Sequence, residues 1–597
     1  MSKRKKPGPE APALPDSIED TAPAANAAFS ATGILWAFTF VALVLVPDQK
    51  ILRYKLLAVE AGVCAVLAAL AAGWVTDRRT AWRSTPLDVP VALLGAGALL
   101  FYLLSPERGV SAMELTRMLF CAATFFTASQ TIPRLRNPEK LIGLWGLLSA
   151  PLGIYALLQT RGGLGRLAVP LLERPIATFG NPIFLAAFFT ASLAALGGLV
   201  WQAGPGRARK LYIFLAVLTA AGLWTTQARA SVAGLATAGA LATFIGLQGR
   251  KRWLGLACVL AGGLASLWLF RGREWTHGLI WRDTLALWLS RPWLGCGLGR
   301  FHIEFPTFAS EALRALWPER AVIINFAHNE YLQVLAETGI AGLALLLNVL
   351  AAAAVWAAKV LRGSQAPTRP LAAGLALGAA ALLGQNFFSP DMRFGLSSFM
   401  VFFCLGAASG LLAPEPAPEA ASPGPKGAVL AAAFLAFWAH LAVRPALAQQ
   451  RLSREAGFHV EASAELRRLI GDLEGRLASD PVNADVAETL GYLYSREKSW
   501  PQAVARFELS SQLDPLRPGP LNNLGNIYYS TGDLQRAIAY WTESVRVKPE
   551  QADAHLNLGK ALYEVGRLKE SSEHLHAVLT RDPGNEKAQV LLKKMVE

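Results

Sequence analysis

The sequence predicts an all-α protein in two parts, a polytopic bundle of about 12–13 transmembrane helices followed by a C-terminal solenoid of helix pairs. Three observations carry this expectation. Of the 597 residues, 53% are hydrophobic and only 17% charged, against about a quarter charged in soluble domains, and the mean hydropathy is +0.33. The apolar residues gather in long uncharged runs, which suit a bilayer better than a series of soluble cores. The tail instead repeats a leucine, glycine and proline pattern at a fixed interval.

Residues 1–28 are polar and rich in Pro and Ala, and read as a disordered segment. They are too long and too acidic for the n-region of a cleaved signal peptide. The bundle then occupies 29–413, with apolar runs at 30–47, 56–75, 89–104, 113–130, 140–159, 182–202, 211–226, 230–248, 253–270, 331–358, 371–388 and 394–413. A Pro/Ala-rich linker, 414–427, precedes a last short run at 428–443, read as a further span. At that length it could instead lie along the membrane or pack as a buried helix.

The net charge of +14 does not indicate nucleic acid, because the basic residues sit in short clusters between apolar runs. "KRKK" at the N-terminus, Arg78/Arg79/Arg83, Arg134/Arg136/Lys140, Arg207/Arg209/Lys210, Arg250/Lys251/Arg252 and Lys359/Arg362/Arg369 occupy alternate connections. Positive charge marks cytoplasmic loops. The connection 160–181, the turn before Arg229 and the long loop 271–330 are then expected outside, and an odd number of spans puts the tail outside too. The basic connection 47–55 breaks the alternation. Cys64, Cys121, Cys258, Cys296 and Cys404 form no ligand spacing and read as small packing residues. No metal site or cofactor is expected.

In the tail, Leu490-Gly491, Leu524-Gly525 and Leu558-Gly559 recur every 34 residues, as do Pro515, Pro549 and Pro583. Tyr494 and Tyr528, Ala503 and Ala537, and Phe507 and Trp541 keep the same register, while the third copy carries Leu562, Ser571 and Leu575 at those positions. The pattern resembles the tetratricopeptide repeat. Clear units are expected at 484–517, 518–551 and 552–585 within a repeat region 450–597, with 450–483 a degenerate first copy. Such stacks present a concave surface, and a protein partner is expected there.

One stretch joins polar and apolar chemistry, "FAHNEYLQVLAETGIAGLA" at 326–344. His328-Asn329, followed by Gly339 and Gly342, resembles the signature of the O-antigen ligase family, membrane glycosyltransferases that include lipid-linked polysaccharide polymerases. "RPIATFGNPIFLAAF" (174–188), "QARASVAGL" (227–235) and "WRDTLALWLSRPWLGCGLGRF" (281–301) resemble that family's other segments in order. The likeness covers roughly 30–410. It departs at Ala233, where the ligases carry Leu.

The resemblance implies transfer of a glycan from an undecaprenyl diphosphate carrier to an acceptor hydroxyl, at the periplasmic face of a bacterial inner membrane. The acceptor would be a lipid A core, a protein or the growing polysaccharide; the last would make the chain a repeat-unit polymerase. Inverting, metal-independent transfer is expected. The residue chemistry agrees. Arginine offers planar, bidentate recognition of a diphosphate, and Arg174, Arg229 and Arg282 lie at expected outer span ends. A neutral His328 before a helix N-terminus suits a general base.

The plainer readings stand beside these. Asn329 fits an N-cap as well as a ligand, and Arg229 can snorkel to headgroups. Glu330 either orients His328 or is a solvated first-turn acid, and Asn181 is a supporting residue. Gly339 and Gly342 read as close-packing residues of a span. His277, His302, Arg271 and Arg273 share the long loop and read as solvated, and Glu60, Glu114 and Arg117 as isolated or near span ends. A membrane-anchored scaffold without chemistry is the alternative of another class.

Overall fold

The computed structural model describes residues 23–46, 54–76, 81–106, 108–164, 167–169, 172, 174–269, 277–315, 324, 326–416, 422–440, 463–497, 499–582 and 585–596. The expected disordered segment up to residue 22, Arg271, Arg273 and the 450–462 part of the degenerate repeat lie outside them.

Every apolar run carries a helix. These are α1 (Pro23–Leu45), α2 (Tyr54–Thr76), α3 (Asp88–Leu104), α4 (Arg108–Thr131), α5 (Pro138–Gln159), α6 (Pro182–Gln202), α7 (Arg207–Thr225), α8 (Arg229–Gly246) and α9 (Gly249–Leu269). After the long loop come α13 (Glu330–Gly363), α14 (Arg369–Gln385), α15 (Leu396–Leu411) and α16 (Gly424–Trp438). The loop itself folds as α10 (His277–Ser290), α11 (Phe301–Phe308) and α12 (Glu311–Ala315), with a small core of their own around Ile280, Leu287, Phe301 and Phe305. Beyond helix there is one two-residue ladder among the described residues, Gly163–Leu164 with Leu167–Ala168.

Five helices are long and apolar enough to cross a bilayer on length and composition alone, within α2, α5, α6, α8 and α13. The helices pack as in a membrane bundle, with small residues where backbones cross. A Cβ on Gly198 of α6 would stand 3.0 Å from the Cα of Gly374 on α14. Aromatic rings fill the centre, Phe40 stacked on Trp145 at 5.3 Å and edge-on to Phe403 at 5.1 Å.

The basic connections meet at one end of this bundle. Arg83 donates to Ala413 O (3.1 Å) and Arg134 to Ala81 O (2.6 Å). Arg252 and Arg362 both cover the ring of Phe244. Lys55, the described basic residue that breaks the alternation, lies at the other end and has a structural reason. It is fully buried, donates to Leu43 O (2.7 Å) and Thr178 Oγ1 (3.1 Å), and sits 4.0 Å over Phe179.

Helix α16 settles against α2 rather than folding back into the core. Gly427 lies under Trp74, Ala431 packs with Leu67, Leu70 and Ala71, and Trp438 Nε1 donates to Glu60 Oε2 at 3.0 Å. It therefore runs antiparallel along α2 and ends where Phe437 meets Phe101 and Leu298.

The tail is a stack of helix pairs. The first helices, α18 (Ala484–Arg496), α20 (Pro518–Ser530) and α22 (Ala552–Glu564), begin 34 residues apart, as do α19 (Trp500–Leu513), α21 (Leu534–Val547) and α23 (Leu568–Arg581). Helices α17 (Ser463–Ser479) and α24 (Glu586–Val596) flank them. The repeated glycines let the pairs close, because a Cβ on Gly491 would meet the Phe507 ring at 2.6 Å and one on Gly525 the Trp541 ring at 2.6 Å.

Candidate active site

Helix α13 opens the site and is broken within it. Gly339 has φ +65 and ψ −165 inside the helix, a region open essentially to glycine. The break receives the loop after α10. Cys296 and Gly297 donate to Ala336 O (2.9 Å) and Glu337 O (3.0 Å), and Ile340 donates to Pro292 O (2.9 Å). A Cβ on Gly339 would stand 2.2 Å from Trp293 O, and one on Gly295 2.4 Å from the Glu337 carbonyl carbon. Gly339 therefore makes a docking break, not the close helix contact expected of it. Gly342 lies one turn after Thr338 of the same helix and lines the cleft described below.

At the start of the same helix, Asn329 is an N-cap. Its Oδ1 accepts from Tyr331 N (3.0 Å) and Leu332 N (3.1 Å). Asn181 does the same for α6, accepting from Ile183 N at 2.8 Å. His328 itself has φ +53, a left-handed conformation that costs a non-glycine residue about 1 kcal/mol or more. Gln333 holds the turn, its Oε1 accepting from Ala327 N at 2.6 Å.

Among the described residues, the non-glycine residues with positive φ are Ala177 (+44), Gln227 (+50) and His328 (+53). Each lies inside one of the segments singled out from the sequence. Gln159 Oε1 holds the first turn, accepting from Ile176 N (3.2 Å) and Ala177 N (2.9 Å). Arg174 Nε donates to Thr226 O at 2.8 Å, tying the first segment to the turn that carries Gln227 and the half-buried Arg229. Ser231 Oγ then donates to Gln385 Oε1 (2.8 Å), and Glu330 N to Asn386 O (2.9 Å). The 174, 229 and 328 segments thus converge on Gln385-Asn386, at the end of the bundle opposite the basic loops. Arg282 belongs to the rim, its side chain 57% exposed and its guanidinium bonded to Asp283 (3.1 Å) and Ser310.

Several residues here escaped the sequence reading. His277 is not a solvated loop residue: it is half-buried and its ring lies flat on His328, with centroids 4.8 Å apart and planes 12° apart. His302 is exposed as expected. Burial holds the His277 imidazole below its ordinary range, and burial first, then His277, lowers His328 to about 4. Between α14 and α15, Asp391 accepts from Gln385 and Ser389, and burial pushes its carboxyl up to about 7. The signal for this loop was present in "GQNFFSPDMRFG" at 384–395, a polar cluster between two apolar runs.

Glu330 does not orient His328. Its carboxylate turns to Arg393 (3.3 Å) and Arg117 (3.6 Å). Arg393 also pairs with Glu337 (2.8 Å) and Glu114 (3.1 Å), and Glu114 with Arg117 (2.8 Å). All five are nearly fully buried. Glu114 and Arg117 are therefore parts of one ion network rather than isolated charges. It backs a largely apolar cleft of about 600 Å³, open solvent included, between α3, α4 and α13. Among the described residues no group of three or more His, Cys, Asp or Glu is arranged to hold a metal.

Residues 214–347 match the family model described as O-antigen ligase, and 525–566 match a tetratricopeptide repeat model. The bundle carries an O-antigen ligase segment. That segment spans α8, the long loop, His328 and the break at Gly339. No curated protein matches the chain. Among solved structures, the tetratricopeptide domain of Arabidopsis OM64 is 22% identical, with a TM-score of 0.18, over 19% of this chain and 93% of that one. MamA is 19% identical, with a TM-score of 0.20, over 22% and 88%. The chain is a multi-pass membrane protein in which residues 214–347 are similar to O-antigen ligase and residues 525–566 to a tetratricopeptide repeat.

Proposed function

We propose that this chain is a membrane glycosyltransferase that moves a glycan from undecaprenyl diphosphate to an acceptor hydroxyl at the extracytoplasmic face. One observation carries the reading: three separate sequence segments, each with a strained turn, meet around Gln385-Asn386 with a neutral histidine at the junction.

In this reading His328 is the general base. The acceptor oxygen attacks the anomeric carbon, its proton passes to the imidazole, and the bond from that carbon to the diphosphate oxygen breaks. The lipid diphosphate leaves with the electron pair, and a single displacement inverts the centre. A general base contributes about 10²- to 10⁴-fold, provided it is unprotonated, which burial of His328 favours. Arg174 and Arg229 hold the diphosphate, since a guanidinium stays charged and binds phosphate oxygens in pairs, and Arg282 adds a cation at the rim. Asn329, Glu330 and Asn181 support the site by capping and by the ion network rather than by touching substrate.

The orientation follows from charge. The loops with Arg83, Arg134, Arg252 and Arg362 face the cytoplasm, which places His328 on the other side. Helix α16, lying antiparallel to α2, supports a tail that leaves at the same end as His328. Asp480, close against Gly109 at the start of α4, fits that placement. There the repeats hold a protein partner beside the site.

His328→Ala is expected to abolish transfer from lipid-linked donor by purified, membrane-inserted protein, at unchanged yield. Transfer within about tenfold of wild type would sink the base assignment.

A further inference from the structure

We propose that His277 is a positioning residue, whose ring lies flat on His328 and fixes both the plane and the neutral form of the base. The inference rests on the reading of His328 as the base and adds to it a second residue from a different element.

The stack is built, not incidental. His277 is the first residue of α10, and one turn later Trp281 packs edge-on to Phe387 (5.7 Å, 84°) and against Phe388 (5.9 Å). The far side of α10 is fixed by Asp283, which accepts from Ser310 N and Ser310 Oγ, both at 2.8 Å. The following loop is clasped to α13 at Gly339. Thus α10 cannot shift without moving the aromatic cluster, the 310 turn and the break in α13 together. His328 is held from its own side by the Asn329 cap and by Gln333. Two rings brought from independently fixed elements to 12° of parallel leave His328 one covered face.

The charged neighbours are already committed elsewhere. Glu330 turns to Arg117 and Arg393, Asp391 to Gln385 and Ser389, Arg282 to Asp283 and Ser310, and Arg174 to Thr226. Arg229, at the start of α8, is a fixed cation on the same end of the bundle. Besides burial, the neighbour that acts electrostatically on His328 is His277. Two imidazolium rings face to face repel, so a proton on either is disfavoured by the other. The position of His328 just before the N-terminus of α13 works in the same direction. The consequence is a base that stays unprotonated well into the acid range.

A probe that needs no substrate reads this directly. Diethyl pyrocarbonate acylates only neutral imidazole, so carbethoxylation of the His328 peptide, measured by mass spectrometry across pH in full-length protein in detergent, gives its titration midpoint. In wild type the midpoint is expected near about 4. In His277→Ala and His277→Gln it should rise by more than one unit toward about 6.5, the ordinary histidine value. In His277→Phe, which keeps a flat covering ring but cannot repel an imidazolium, it should rise less than in His277→Ala. A thiol-reactive melt confirms that each variant is folded. An unmoved midpoint in both the Ala and Gln variants overturns the inference, as does a Phe variant that moves as far as Ala. The base assignment is tested separately: if His328→Ala still transfers glycan, that reading fails whatever the midpoints do. An inactive His328→Ala with unmoved midpoints removes only the role of His277.

Discussion

In the repeats, Gly491 and Gly525 each meet a ring sixteen residues further along the chain, whereas Gly339 in the bundle meets Trp293, forty-six residues earlier and on another element. Arg506 pairs with Glu474 from the neighbouring helix pair, at a partly exposed site. Arg393 pairs with Glu114, which stands nearly half of the chain away, deep in the bundle. The repeats are assembled from contacts between sequence neighbours and the site from contacts between strangers. One kind of order tolerates local damage, because each repeat contacts only those beside it. The other concentrates its requirements at a few positions where several elements have to agree.

Matched substitutions in the two regions sharpen this contrast, and the cysteines provide the means. All five lie in the bundle and none in the repeats, so a thiol-reactive dye follows unfolding of the bundle alone, while limited proteolysis of the full chain follows the tail. The largest difference is expected for glycine. Gly339→Ala forces a Cβ onto a backbone carbonyl at a left-handed position, and should cost the bundle more than about 4 kcal/mol. Gly525→Ala presses only on the Trp541 side chain, and overpacking of this sort costs about 1–3 kcal/mol. Equal losses in the two would contradict the docking role of the break.

Arginine comes next. Arg393→Met leaves Glu114, Glu330 and Glu337 facing Arg117 alone, and loss of one partner from a buried network costs about 3–5 kcal/mol. Arg506→Met at the partly exposed pair with Glu474 should cost no more than about 1 kcal/mol. A dye transition unmoved by Arg393→Met would mean that the network does not hold the outer end together.

The caps give the smallest effect on stability and the finest discrimination. Asn329→Ala and Asn483→Ala remove the same type of side-chain acceptor, from Tyr331 and Leu332 in one case and from Val486 in the other. Each should cost about 1 kcal/mol. Only Asn329→Ala is expected also to lower glycan transfer, by roughly tenfold, because the residue it frees is His328. Equal transfer by both variants would separate the cap from the site.

The same contrast explains what could be read without coordinates. The apolar runs, the side holding the basic loops and the 34-residue register are properties of neighbouring residues, and the helices fall on them. The His328, Arg229 and Arg174 segments were legible only through a resemblance, because nothing within any one of them records its proximity to the others. His277 was misread as solvated because a stack between α10 and the turn before α13 leaves no trace in local pattern. Glu330 was placed beside His328 by adjacency in the chain, but the helix turns its carboxylate into the bundle toward Arg393. Gly339 signalled a close approach, yet the identity of the approaching backbone, 292–297, lay in another segment.

The clasp at Gly339 also has a meaning for how such a chain can diversify. Between the bonds that fix Gly297 and Gly299 to Glu337 and the bond that fixes Ala327 to Gln333, the chain is anchored at both ends to the same short helical turn. Helices α11 and α12 in that interval pack against α10, with their own small core. Lengthening a segment closed in this way costs only about 0.6 kcal/mol for each doubling, by chain entropy. New surface inserted in this interval therefore costs little, provided that it spares the Ser310 turn and the Phe301 and Phe305 core that hold α10 and its histidine.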